Sequence, residues 1–236
     1  MTTFVLVHGL GLGGWCWKRV STGLREQGHT VLTPTLTGLG ERSHLATPDI
    51  NLDTHITDVI NVLKWEDLHD VILVGHSYGG AVVTGAADRE ADRIKKLVYL
   101  DAFVLQDGQS VMDLQTPERI EYMRKKVDKE GDGWLLQPNP PAYYGVTDPD
   151  DQKWMGEFSV GTPFATLLQR ISLIYNSAPP YPRAYIWASG FTPSPFVETA
   201  EKCRNDPDWE YREIPSDHMA MLSHADELVD VLTELL

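Results

Sequence analysis

The sequence predicts an α/β fold: a mostly parallel sheet flanked by helices, in one domain spanning residues 1–236, with a helical cap inserted over residues 103–183. Three observations carry this expectation. Short apolar runs alternate with helical patterns at both ends of the chain. One of those runs ends abruptly in the glycine-framed serine of "GHSYGG" (Gly75–Gly80). Between the alternating regions lies a proline-rich, aromatic stretch with no such rhythm, containing "QPNPPAYYG" and "YNSAPPYP".

In chain order, Phe4–Val7 reads as a strand and Trp15–Glu26 as a helix ending near Gly28. Val31–Thr33 is strand-like, and Leu52, Ile56, Val59, Ile60 and Leu63 fall on one helical face. Val71–Val74 is the next strand, Ala81–Ala87 a helix of small residues, and Leu97–Leu100 another strand. This alternation argues for parallel strands with helices on both faces. A structureless loop as long as residues 103–183 is improbable in a compact domain, hence the cap. Beyond it come a strand at Ala184–Ala188, a helix with Ser194 as N-cap and Pro195 at its first position, and a strand at Glu210–Ile214. Ser223 is expected to cap a final helix in which Leu228, Val231, Leu232 and Leu235 share a face.

Composition narrows the function. With 42% hydrophobic and 23% charged residues, the chain reads as a soluble globular protein. Its formal charge of −14 disfavours nucleic acid and anionic membrane surfaces as partners. A small molecule is the expected partner, and a homodimer is left open. "MTTFVLVHG" shows no secretory signal and no window is apolar enough to span a bilayer, so a cytoplasmic location is expected. The two cysteines, Cys16 and Cys203, are expected to be free thiols. No metal-ligand spacing appears, and no cofactor is expected.

The serine carries the chemistry. Gly75-His76-Ser77-Tyr78-Gly79 fits G-x-S-x-G in a strand–turn–helix context, the arrangement that presents a nucleophile on a strained turn. A serine hydroxyl needs a base. Of eight histidines, His218 in "EIPSDHMAML" follows the last strand and is the strongest candidate. His76 adjoins the serine and is expected to point elsewhere, and His8 to brace the loop after the first strand. The backbone N–H groups of Leu10 and Tyr78 are the candidate oxyanion donors. "PTLTGLGERSH" (Pro34–His44) is expected near the same rim. The orienting acid is harder to place. It is expected after Ala184–Ala188, yet that region reads "YIWASGFTPSPF", with Phe191 near the required position. Asp217 neighbours His218 and diverges from it. Asp101, closing "KLVYLDA" beside the strand bearing Ser77, is the preferred acid, with Asp206, Asp208 and Glu198 behind it.

Together these residues resemble the α/β-hydrolase superfamily, in particular the methylesterase and hydroxynitrile-lyase group and similar small bacterial carboxylesterases, including pyrethroid-hydrolysing ones. "FVLVHGLGLGGWCWKRV", "TLTGLGERSH", "GHSYGG", "TPFATLL" and "DHMAMLSHADEL" carry the likeness over nearly the whole chain. The resemblance implies Ser77 and His218 as nucleophile and base, and Leu10 and Tyr78 as oxyanion donors. The group's usual acid position is occupied by Phe191, whereas related dehalogenase-like enzymes carry theirs where Asp101 stands. The group's lyases have a lysine after the histidine and a hydroxyl residue in the first loop. Met219 and Gly9 stand there, which favours the esterase branch.

The expected function is hydrolysis of a small apolar or aromatic carboxylic ester through an acyl-enzyme. The cap's Trp134, Tyr143, Tyr144 and Trp154 suggest an aromatic substrate, although most such rings end as core. The alternatives are lyase or cyclase chemistry at the same site, or a hydrolase-fold receptor with little turnover. A dinucleotide-binding oxidoreductase is suggested by "GLGLGG" (Gly9–Gly14) and opposed by "VLTPTL", which lacks the ribose-binding acid.

Overall fold

The computed structural model describes residues 1–175 and 179–236. In chain order the strands are β1 (Thr3–Val7), β2 (Thr30–Leu32), β3 (Val71–His76), β4 (Ile94–Leu100), β5 (Leu135–Leu136), β6 (Thr162–Pro163), β7 (Arg183–Ala188) and β8 (Trp209–Ile214). The helices are α1 (Lys18–Glu26), α2 (Leu52–Trp65), α3 (Gly79–Arg89), α4 (Pro117–Glu130), α5 (Pro149–Phe158), α6 (Ala165–Leu168), α7 (Val197–Asn205), α8 (Ala220–Ser223) and α9 (Ala225–Glu234).

Six strands form one parallel sheet in the order β2-β1-β3-β4-β7-β8. Successive side chains of a strand point to opposite faces, so each strand feeds two cores. Phe4, Leu6, Ile72, Val74, Val98, Leu100 and Ile186 face one way, packing with Trp17, Val20 and Leu24 of the first helical segment and with Leu228 and Leu232 of α9. Val5, Val7, Leu73, Leu97, Tyr99 and Tyr185 face the other way, against α2 and α3. Such two-sided burial explains why the strands read as continuous apolar runs. Cys16 and Cys203 are free, buried and in opposite cores.

Between β4 and β7 the chain forms α4, α5 and α6 and the small antiparallel pair β5–β6. Links of several kinds fasten this segment to the sheet's helices and loops. Arg19 of α1 pairs with the buried Asp151 of α5 at 2.6 Å. Gln169 Nε2 donates to Asp53 at 2.6 Å, and the Val160 amide donates to the Gly11 carbonyl at 2.8 Å. Its apolar side chains join both cores: Met123, Val127 and Leu167 one of them, Val146 and Met155 the other. Arg183, the last residue of the expected cap, already opens β7. Asn176, Ser177 and Ala178, also within the expected cap, lie outside the described residues.

Several expected boundaries move. The first helix is split: Gly14–Trp17 is a 3-10 turn, and α1 begins only at Lys18. The Ser194-capped helix starts at Val197, because Ser194 Oγ accepts the Phe196 amide at 3.1 Å and closes a turn before the helix. Ser223 does not cap α9. It ends α8, its hydroxyl donating to the Met219 carbonyl at 3.4 Å, and His224 precedes α9. Among the described residues, no helix is long and apolar enough to cross a membrane.

Candidate active site

In a parallel sheet, ligands gather outside the carboxyl ends of the strands where the chain reverses its direction of winding. Here that point lies between β1 and β3. Leu10 follows β1, Ser77 follows β3, Asp101 follows β4 and His218 follows β8, so the fold delivers all four to one edge.

The turn from β3 into α3 depends on small residues. A Cβ on Gly75 would lie 2.5 Å from Val83 Cγ2, and one on Gly79 would lie 2.7 Å from the carbonyls of Val7 and His8. Strand and helix therefore approach more closely than any side chain permits. Ser77 sits at the corner with φ +55°, a left-handed conformation unfavourable for serine. Three hydrogen bonds hold it: its N–H donates to the Leu100 carbonyl at 3.2 Å, and its carbonyl accepts from Gly80 and Phe103, each at 3.1 Å.

His218 Nδ1–H donates to Asp101 Oδ2 at 2.6 Å, with both side chains buried. Asp101 is also left-handed, at φ +42°, and its amide donates to the Ile186 carbonyl at 2.8 Å. Burial pushes its carboxyl above the usual range, and the hydrogen bond and charge of His218 pull it back. Phe191, where an acid was first expected, stacks on the His218 ring at 5.0 Å. Tyr144 and Phe196 stack on it as well, at 5.8 and 5.4 Å. The imidazole thus has a carboxylate at its edge and aromatic rings along its faces.

Ser77 and His218 border one cavity of about 820 Å³, and no direct hydrogen bond joins their side chains. Leu10, Leu12, Phe103, Met123, Leu167 and Phe196 supply apolar wall. Tyr143 and Tyr144 line it, whereas Trp154 packs on Trp15 at 5.3 Å, away from it. The amides of Leu10 and Tyr78 donate to no protein acceptor among the described residues. The Tyr78 side chain is buried in the core, its hydroxyl donating to His55 Nδ1 at 2.9 Å, while His55 Nε2–H donates to the Thr37 carbonyl at 2.8 Å.

The other residues singled out from sequence fall elsewhere. His8 braces two loops: Nδ1–H donates to the Gly9 carbonyl at 2.8 Å, and Nε2 accepts the Leu36 amide at 3.1 Å. Residues 34–44 do not line the cavity; Leu36 and Leu39 are buried in the core behind it. Gly9–Gly14 packs against its own protein, the Gly14 amide donating to Thr35 Oγ1 at 2.8 Å. Asp217 accepts the Met219 amide at 2.7 Å, and Asp206 accepts that of Asp208 at 2.9 Å. Glu198 lines the cavity without reaching the imidazole. His76, expected to point away from Ser77, meets His218, a contact between residues distant in sequence that no local pattern signals.

The alpha/beta hydrolase family model matches residues 4–231. The chain is 40% identical over the whole length of both proteins to a carbendazim hydrolyzing esterase from Nocardioides sp. (strain SG-4G). In structure it resembles an extracellular alpha/beta-hydrolase from a Paenibacillus species, described as sharing structural and functional homology with tobacco salicylic acid binding protein 2. That match has a TM-score of 0.89 at 25% identity and covers 99% of this chain and 98% of the other. It likewise resembles a methylesterase from Arabidopsis, with a TM-score of 0.80 at 25% identity, covering 100% and 98% of the two chains.

Proposed function

The chain belongs to the alpha/beta hydrolase family and is an esterase-type enzyme of it, and from that premise we propose that it cleaves a small apolar or aromatic carboxylic ester through an acyl-enzyme on Ser77. The observation that carries this reading is the buried His218–Asp101 pair opening onto the same apolar cavity as a serine on a strained turn.

In the first half-reaction Ser77 Oγ attacks the ester carbonyl while His218 Nε2 takes its proton. Asp101 holds the other ring nitrogen as Nδ1–H, which leaves Nε2 the free acceptor, and it stabilises the imidazolium that forms. The carbonyl oxygen becomes an oxyanion, held by the amides of Leu10 and Tyr78. Collapse expels the alcohol, which takes the proton back from His218 Nε2. A water then repeats the sequence on the acyl-serine, with His218 again as base. Serine–base hydrogen bonds are often long or poorly aligned without substrate and tighten in the complex, in keeping with the absence of one between these two side chains here.

The walls favour an apolar or aromatic ester. Residues 103–182 act in this reading as the cap that covers it. The test is turnover of p-nitrophenyl and methyl esters, with carbendazim in the panel because of the relative at 40% identity. Hydrolysis lost on Ser77→Ala and on His218→Ala supports the reading. Near-full turnover by either variant overturns it.

A further inference from the structure

We infer that His76 is a positioning residue, fixing the distance between nucleophile and base by holding the backbone of His218 to the strand that carries Ser77. The inference rests on the proposed roles of Ser77 and His218.

His218 lies in the loop after β8, with no strand or helix to set its position. Three attachments take that role. Asp101 holds the ring at Nδ1, and the Tyr144 carbonyl accepts the His218 amide at 3.1 Å. The third is His76, whose Nε2–H donates to the His218 carbonyl at 2.9 Å. Only this one comes from β3 itself, from the residue before the nucleophile. Neighbouring Cα atoms are about 3.8 Å apart, so a carbonyl bonded to His76 moves with Ser77. The Asp101 bond orients the ring; the His76 bond sets where its backbone stands.

The surroundings of His76 fit this task. Its ring lies 4.5 Å from that of His218 at 43°, and Trp17 meets it edge-on at 6.4 Å. It is fully buried, and Nδ1 has no hydrogen-bond partner among the described residues. A second imidazolium beside the one that forms on His218 during turnover would oppose that charge. Burial, together with the neighbouring His218 and His8, holds the His76 pKa well below its ordinary value. His76 is thus a neutral donor whose single N–H is committed to one carbonyl. A side chain serving only to fill space needs no nitrogen at that point.

The test compares His76→Phe, which keeps a ring without the donor, His76→Gln, whose amide reaches the Nε2 position, and His76→Asn, whose shorter amide does not. Each is measured for kcat and KM on a p-nitrophenyl ester, for the rate of Ser77 labelling by a fluorophosphonate, and for Tm. His76→Phe and His76→Asn are expected to lose at least about tenfold in kcat and in labelling rate, with KM within about twofold. His76→Gln is expected to recover most of that loss. Equal activity of the Gln and Asn variants overturns the inference, as does a folded Phe variant with wild-type kcat; if the Phe variant does not fold, the Gln–Asn pair decides. Ser77→Ala separates the two readings. An active Ser77→Ala contradicts the proposed function, whereas an inactive one beside a flat His76 series contradicts only the role of His76.

Discussion

Asp101 and His218, 117 residues apart in the chain, meet in a buried 2.6 Å hydrogen bond. One closes β4 and the other follows β8. In the proposed mechanism this pair supplies the orienting acid from β4, the strand beside β3 and Ser77, while the ring of Phe191 stands in the loop after β7.

Asp101→Asn is expected to lower kcat by about 10³- to 10⁴-fold, because an amide at this position favours the wrong imidazole tautomer. It also removes a carboxylate whose burial is unfavourable. Tm is therefore expected to stay within a few degrees of wild type or to rise. Full activity in a folded Asp101→Asn variant contradicts its role as the orienting acid.

Gly9→Ala tests the proposed oxyanion role of the Leu10 amide, which no side-chain deletion reaches. A Cβ there would lie 3.0 Å from both Ser77 Cβ and His76 Nδ1. Either the loop carrying the Leu10 amide or the Ser77 corner it faces must give by a few tenths of an ångström, which disturbs the alignment of that amide with the Ser77 side chain. Loss of one oxyanion donor costs about 10²- to 10³-fold in kcat, with KM little changed. A steady-state comparison on one ester reads both, and an unchanged kcat argues against the Leu10 amide.

Acid is expected to destabilise the protein early. Burial lowers His8 and His55 to about 4 and His76 well below 6.5. Below pH 6.5 the unfolded chain takes up protons that these three rings refuse in the folded state, so stability falls with pH, by about 1.4 kcal/mol per unit for each. The loss continues down to their folded pKa values. The raised carboxyls of Asp101 and Asp217 act in the opposite sense, binding protons first in the folded state. Urea unfolding at pH 7, 6 and 5 measures the balance. A midpoint that does not fall between pH 7 and 5 contradicts the neutral, buried state of the histidines.

Much of the sheet was legible because two-sided burial writes itself as uninterrupted apolar runs, as in "VILV" before Ser77 and "FVLV" after Thr3. The glycines around Ser77 were legible for a related reason: close backbone approach excludes every side chain, and Gly75 and Gly79 mark it. Helix starts read less well. Ser194 and Ser223 have the right chemistry for caps, but the hydrogen bond of the first closes a turn and that of the second reaches back into its own helix. The aromatic faces around His218 and its contact with His76 depend on loops brought together by the fold, and pairings of that kind leave no periodic trace.

Whether Ser77 is the nucleophile is tested most directly by covalent trapping. The protein is treated with a fluorophosphonate, digested, and the adduct mapped by mass spectrometry. The account predicts a single adduct on the peptide containing Ser77, absent in Ser77→Ala and formed far more slowly in His218→Ala. An adduct on a different serine, or undiminished labelling of Ser77→Ala, contradicts it.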